Sequence, residues 1–199
     1  MYKHVIKRAL GFIIALLSMP LLILVALVVG IAIKLDDGGP VFYNGYRLSK
    51  SDSRRGTVFP MYKFRSMKVN SPDIRLEDGS TFNSENDQRV TRVGRFLRKT
   101  SIDELPQLFN VLVGDMALIG PRPDLPSDLA TYTKDEMIIL SVRPGITGWN
   151  QAINRNSVGA KEKLEADIYY VNHLSFLFDC RILWLTIKTV LSHKDVFRA

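Results

Sequence analysis

One cysteine, Cys180, and three histidines, His4, His173 and His193, are all the sequence offers of the usual soft metal ligands. A single cysteine leaves no intramolecular disulfide framework and suits a reducing compartment. The histidines have neither ligand spacing nor cysteine partners, so a structural zinc site has no support. There is no Gly-x-x-x-x-Gly-Lys-Ser/Thr loop and no kinase signature, which removes the common routes to nucleoside triphosphate hydrolysis. The nucleophile elbow of the serine hydrolases is missing as well. The chain is basic, with a formal net charge of +7 and a pI near 9.6. No zinc-finger, helix-turn-helix or base-stacking pattern accompanies that charge, so nucleic acid is the weakest partner. An anionic membrane surface and phosphorylated substrates are the stronger ones.

Charge itself is missing from Ala9–Ile33, which Lys7, Arg8 and Lys34 fence. As a straight helix this stretch would run about 38 Å, enough for a hydrocarbon core of roughly 30 Å. Pro20 lacks an amide proton and its ring clashes with the Leu16 carbonyl, so a bend is predicted there. The Ser18 hydroxyl lies within the same turn and is available to a freed backbone group. Lys3, Lys7 and Arg8 precede the stretch, while 24 of the 27 basic residues and all 20 acidic ones follow. Both flanks are therefore positive, and positive flanks favour the cytoplasmic side. The expectation is a re-entrant helix over residues 1–34 that dips in, bends at Pro20 and leaves by the same face. Residues 35–199 then form one cytosolic domain. A kinked spanning helix is the alternative, since membrane helices tolerate proline. The apolar run is too long for a cleavable signal peptide, and no small-residue cleavage site precedes Lys34.

Asp36-Asp37-Gly38-Gly39-Pro40 reads as a turn closing that segment. Val41–Tyr46 and Val58–Met67 are β-branched and aromatic and read as a hairpin around a polar loop with Ser51, Asp52, Ser53 and Gly56. Residues 70–88 form a long polar loop of the kind that either covers a site or is merely disordered. Val93–Lys99 is a short basic helix. Leu105, Leu108, Phe109 and Leu112 recur at helical spacing and mark an amphipathic helix ended by Gly114. Lys161–Val171 and Leu174–Val190 are further helices. The last, with Trp184, Arg181 and Lys188, is either interfacial or an ordinary core helix. The fold class is α+β, mostly helical.

The densest chemical signal is the run from Thr100 to Asn110. Ser101-x-x-Glu104 is a capping-box pattern, but Pro106 would forfeit a hydrogen bond inside a helix opened at Ser101. The helix is expected to start, or bend, near Pro106, which leaves Asp103 and Glu104 beside free amide protons. Two adjacent carboxylates can ligate Mg2+, or one can attack an electrophile while the other holds the metal. In Gly120-Pro121-Arg122-Pro123 and in Arg143-Pro144-Gly145, prolines stiffen the backbone around an arginine suited to clamp phosphate; the second is read as a Pro-Gly turn. With Lys63, Arg65, Arg98 and Arg155 these make a cationic set. Carboxylates among cations point to Mg2+-assisted chemistry on a phosphoanhydride.

Taken together, Gly39–Phe42, Tyr62–Met67, Thr91–Arg98, Ser101–Asn110, Gly114–Met116, Pro121–Pro123, Arg143–Gly148 and Asp167–Tyr170 resemble the bacterial monotopic phosphoglycosyl transferases. The likeness runs over nearly the whole chain. It implies transfer of a sugar 1-phosphate from a UDP-sugar to polyprenyl (undecaprenyl) phosphate with release of UMP, the first membrane step of glycoconjugate assembly. It implies Asp103 as nucleophile, forming a covalent phosphosugar intermediate, and Glu104 with Asp103 at Mg2+. Lys63, Arg98, Arg122, Arg143, Arg155 and Asp167 are then the substrate-binding residues. The implied place is the cytoplasmic face of the bacterial inner membrane, with downstream glycosyltransferases as further partners. Two departures stand out. Met19 separates Ser18 from Pro20, and Asn154 replaces a glycine before Arg155, where asparagine tolerates the left-handed conformation. Without extra membrane helices or an N-terminal domain, the chain is expected to be a minimal form.

Overall fold

The computed structural model describes residues 2–51, 57–76, 82–155 and 157–192. Asp52, Ser53 and Gly56 of the hairpin loop, residues 77–81 of the polar loop and His193 lie outside them.

A π-helical stretch, Tyr2–Ile6, leads into α1, Lys7–Asp37, an unbroken helix of 31 residues that runs through Pro20. Most of its apolar side chains face outward; Leu17 is 75 % exposed. Asp36 and Asp37, read from sequence as part of a turn, are its last helical residues. The helix stops at Gly38, whose φ of 72° only glycine adopts without strain. The Ser18 hydroxyl donates to the Ile14 carbonyl at 2.8 Å. It therefore does not serve the Leu16 carbonyl, whose usual amide donor Pro20 lacks, because a serine reaches the carbonyl four residues back.

The hairpin pairs β1, Phe42–Leu48, with β2, Val58–Phe64, antiparallel from Phe42↔Phe64 to Leu48↔Val58. Strand β2 ends three residues earlier than its β-rich sequence predicts, because Arg65 is used otherwise. Its buried guanidinium bonds the Asp37 carboxylate, the Pro40 carbonyl at 2.7 Å and the Met67 carbonyl at 2.8 Å. This pins the end of α1 to the end of β2. Asp36 meanwhile accepts from the Val93 amide at 2.9 Å, and Thr91 from the Gly94 amide at 2.9 Å, so α2, Arg92–Thr100, has both side-chain caps at its start. Gly94 lies against the Ser66 backbone, where a Cβ would sit 2.0 Å from the carbonyl oxygen.

Helix α3, Gln107–Val113, ends on Gly114 as expected. Its buried face is Gln107, Asn110 and Val111, not the leucine stripe; Leu108 and Leu112 are half-buried and Phe109 is exposed. Asn110 explains the rotation: its amide accepts from Tyr62 N at 3.0 Å and donates to Pro60 O at 2.8 Å, tying α3 to β2. A second, parallel ribbon pairs β3, Ala117–Ile119, with β4, Gly145–Thr147. Gly145, expected in a turn, is thus the first residue of a strand. It lies against Gly120 so closely that a Cβ would be 2.1 Å from that residue's nitrogen. Helices α4, Trp149–Ile153, α5, Ala160–Asn172, and α6, Phe176–Leu191, complete the chain. Along α6, Leu177, Trp184, Ile187 and Leu191 form an exposed apolar stripe, with Trp184 at 68 %.

α1 is built into the core at two levels. Ala15 packs with Phe59, Met61, Val111 and Met116, and Val29 and Ile33 pack with Phe64 and Leu97. Burying Val29 and Ile33 is worth roughly 2 kcal/mol each.

Candidate active site

The dyad sits on a short 3-10 turn, Ile102–Glu104, between α2 and α3. Ser101 opens it with φ 58°, closing α2 through its own amide to Arg98 O at 3.2 Å, and makes no side-chain cap. The capping-box reading therefore fails. A left-handed residue turns the chain, and its hydroxyl accepts from Arg155 Nη2 at 3.2 Å instead. Pro106 stands just before α3, where its missing amide costs nothing. Ile102 and Leu105, on either side of the dyad, both pack against the core cluster that holds Val29 and Ile33 of α1.

Asp103 is 8 % exposed. Glu104 receives Lys63 Nζ of β2 at 2.6 Å and has Arg122 Nη2 at 3.6 Å. Burial pushes the Asp103 carboxyl up to about 6; Lys63 opposes this, Glu104 adds to it, and Arg98 and Arg122 oppose it more weakly. Burial acts on Glu104 in the same sense, but Lys63, Arg122 and Arg155 outweigh it and hold that carboxyl down at about 2. Environment thus splits two adjacent acids into one that is always ionised and one that titrates just below neutrality.

The sequence-predicted cations divide. Lys63 and Arg122 touch Glu104. Arg98, held by Ser66 Oγ at 3.0 Å and Asn83 Oδ1 at 3.5 Å, acts on Asp103, and Arg155 acts on Glu104. Arg155, not Asn154, is the left-handed residue of its turn, with φ 48°; the helical amide of Asn154 bonds Asn150 O at 2.8 Å and keeps 154 right-handed. Arg143 is not part of this group. It directs Nε to Gly114 O at 2.8 Å, at the C-terminal end of α3, because the β3–β4 pairing begins two residues later and fixes its place there. Asp167 turns to the backbone of Arg122. Its Oδ2 accepts from the Arg122 backbone amide at 3.4 Å, and its Oδ1 is buried without a partner among the described residues. Burial, then Asp124, raise its pKa well above the carboxylate range, so it supports the Pro-Arg-Pro backbone from beneath. Arg65 belongs to the α1 clamp described above. Arg47 of β1, near enough to Arg122 and Asp124 to feel both charges, was not foreseen; an isolated arginine in a strand carries no signal of its own.

Among the described residues no group of three or more His, Cys, Asp and Glu side chains gathers. At this site Asp103 and Glu104 are the carboxylates that could meet a divalent ion. That donor set suits Mg2+, which takes one or two carboxylates and completes its shell with water and substrate phosphate.

Residues 2–193 match the family model described as bacterial sugar transferase. The chain is 42% identical over 172 residues to the undecaprenyl-phosphate galactose phosphotransferase of Salmonella typhimurium, covering 81% of this chain and 35% of that protein. It is 39% identical over 193 residues to the UDP-N-acetylgalactosamine-undecaprenyl-phosphate N-acetylgalactosaminephosphotransferase of Aeromonas hydrophila, covering 94% and 44%. It is 38% identical over 194 residues to the UDP-glucose:undecaprenyl-phosphate glucose-1-phosphate transferase of Escherichia coli, covering 93% and 40%. The chain spans less than half the length of these relatives.

Proposed function

Because this chain belongs to the bacterial sugar transferase family, we propose that it moves a sugar 1-phosphate from a UDP-sugar to polyprenyl phosphate and releases UMP. The observation that carries this reading is the dyad's position. Two carboxylates lie among Lys63, Arg98, Arg122 and Arg155, and their neighbours Ile102 and Leu105 pack with the long apolar helix. That position supports reading the dyad as a site for a diphosphate donor beside the helix proposed to meet lipid. The three relatives are named for three sugars, so the donor is assigned here only as a UDP-sugar.

In the proposed reaction an Asp103 oxygen attacks the sugar-bearing phosphorus. The phosphoanhydride bond breaks, UMP leaves with the electron pair, and Asp103 holds the phosphosugar as an acyl phosphate. An oxygen of polyprenyl phosphate then attacks the same phosphorus, and Asp103 departs as a carboxylate. Neither nucleophile needs a base: a carboxyl titrating at about 6 is mostly ionised at neutral pH, and the acceptor is already an anion. Glu104 and Asp103 would hold Mg2+, which neutralises diphosphate charge when bound. Lys63 and Arg122 hold Glu104 in place, and the guanidinium of Arg122, nearly half exposed, is available to the donor phosphates. The buried Asp167 fixes the backbone from which that guanidinium projects.

α1 is proposed to enter and leave the cytoplasmic face of the bacterial inner membrane, keeping the dyad where nucleotide sugars are made. The lipid-linked product would feed downstream glycosyltransferases. The test is UMP release from purified protein with Mg2+, a panel of UDP-sugars and polyprenyl phosphate. Wild type is expected to release UMP with at least one donor and Asp103→Asn with none; wild-type turnover in the variant would remove the nucleophile.

A further inference from the structure

Strand β1 carries a second set of polar groups beside the dyad. Tyr43, Gly45 and Arg47 alternate along it and share the face on which their β2 partners Lys63, Met61 and Phe59 lie. Lys63, directly opposite Tyr43, is the residue that reaches Glu104 at 2.6 Å. Arg47 is close enough to Arg122 for the two like charges to repel, and Arg122 stands 3.6 Å from Glu104. Gly45 makes the arrangement possible. A Cβ there would be 2.9 Å from the Tyr43 hydroxyl and 3.1 Å from Arg47 Nη1, so these two groups meet above a residue with no side chain. They lie at most two hydrogen-bond lengths apart. Tyr43 is 51 % exposed, and its hydroxyl has no hydrogen-bond partner among the described residues. Arg47 donates from Nη1 to the Tyr46 carbonyl at 2.8 Å and forms no ion pair with an Asp or Glu among the described residues. Burial, then Arg122 and more weakly Arg75, lower its pKa. Asp124 offsets this only in part, and its carboxylate already accepts from the Tyr132 hydroxyl.

We propose that Tyr43 and Arg47 hold the nucleotide-side phosphate of the UDP-sugar, the phosphate that departs in UMP. This assignment rests on the transferase reading and extends the donor site beyond the residues around the dyad. A half-buried guanidinium beside another guanidinium is costly without an anion. A phosphate oxygen between the Tyr43 hydroxyl and Arg47 accepts from both and removes that cost. The position also fits the order of the two phosphates. Asp103 attacks the sugar-bearing phosphorus, and the second phosphate of the donor lies one bridging oxygen away. Arg122 acts on both Glu104 and Arg47, so it joins the two places. When the phosphoanhydride breaks, the bridging oxygen keeps the electron pair and UMP gains negative charge. Arg47 stabilises that leaving group with no proton transfer. The exposed ring surface of Tyr43 is left for the nucleoside that this phosphate carries.

The test is calorimetric titration of the full chain in neutral detergent with UMP, uridine and geranyl phosphate, the last a short stand-in for the lipid acceptor. Wild type is expected to bind UMP saturably and uridine more weakly. Arg47→Met should weaken UMP binding about tenfold or more, the loss expected for a charge-assisted hydrogen bond, and leave uridine and geranyl phosphate unchanged. Tyr43→Phe removes an exposed hydroxyl and should weaken UMP binding several-fold in the same pattern. It keeps the ring, so the proposal stays testable even if Arg47→Met fails to fold. Gly45→Ala leaves both groups in the chain but displaces them, and should match Tyr43→Phe. No UMP binding by wild type, undiminished UMP affinity in Arg47→Met or Tyr43→Phe, an equal loss for uridine, or a loss confined to geranyl phosphate would overturn the proposal. UMP binding that depends on Arg47, without UMP release from any UDP-sugar, would sink the transferase reading alone.

Discussion

Replacing Lys63 by methionine removes the charge closest to Glu104 and keeps much of the side chain's bulk. Its first consequence falls on Asp103. That carboxyl stands at about 6 because burial outweighs the attraction of Lys63, Arg98 and Arg122. At pH 7 a group titrating at about 6 is about nine-tenths ionised. A nearby opposite charge lowers a carboxyl by roughly 1 to 3 units, so removing Lys63 raises Asp103 to about 7 at the least. At that lower limit about half of the nucleophile is protonated at pH 7, and at a two-unit rise about nine-tenths. Glu104 rises from about 2 in the same variant, since Lys63 is the largest influence holding it down. The assay is carboxyl carbon NMR on metal-free protein labelled at aspartate, with Asp103→Asn to assign the resonance. In the wild type one aspartate should titrate near 6, and Lys63→Met should move it upward. A midpoint near 4 in the wild type, or one that stays put or falls in the variant, would refute the electrostatic account. The pair also carries a stability statement. Asp103 is raised, so its contribution is lost as pH climbs from 3.8 through about 6; Glu104 is lowered, so its contribution is gained between about 2 and 4.5. The two shifts are opposite in sign and similar in size, and at neutral pH they largely offset.

Gly94→Ala would place a Cβ 2.0 Å from the Ser66 carbonyl oxygen, a clash of backbone with backbone expected to cost about 3 kcal/mol, seen as a lowered midpoint in denaturant unfolding. Asn110→Ala would orphan the Tyr62 amide and the Pro60 carbonyl at a site that is 0 % exposed. Its expected cost is again about 3 kcal/mol, against well under 1 kcal/mol if α3 were held by its leucines alone. Single cysteines at Tyr2 and Lys50 in a Cys180→Ser protein should react with an impermeant thiol reagent from the same side of the membrane; reaction from opposite sides would restore the spanning helix.

What the sequence made legible was local. The hairpin followed from β-branched and aromatic runs, the end of α3 from Gly114, and the dyad's place before α3 from Pro106. Pairing between distant three-residue strands was not legible, because neither Ala117–Ile119 nor Gly145–Thr147 has enough length to show a period. That omission decided the arginines. Arg122 and Arg143 look alike as sequence, each stiffened by proline, but stiffness says nothing about direction. The β3–β4 register puts Arg143 at the C-terminal end of α3 and leaves Arg122 facing Glu104. The capping box misled for a related reason. Ser101-x-x-Glu104 has the right spacing for a helix start, yet a serine at φ 58° ends α2 instead. Asn154 was the better candidate for a left-handed residue on propensity, but its amide is committed to Asn150 and the strain moves to Arg155. In both cases the backbone hydrogen bonds of the preceding helix, not the side chain's preference, set the conformation.

The attachment of α1 bears on which way the chain meets a bilayer. At its start Lys7 pairs with Asp179 of α6; at its end Asp37 pairs with Arg65, and Asp36 caps α2. A helix of 31 residues is about 46 Å long when straight, well beyond a hydrocarbon core of roughly 30 Å. If it spanned, one of these charged attachments would lie in the far water or inside the bilayer. The folded body bonded to it would have to be on both sides at once. Keeping both sets of bonds would need both ends to share one face with the body, which supports the proposed re-entrant arrangement. The same attachments tie depth to chemistry. Ile102 and Leu105 pack with Val29 and Ile33, so under the proposed function any rise or fall of α1 in the membrane would carry Asp103 with it, and reach toward the lipid phosphate would be set by where the helix rests.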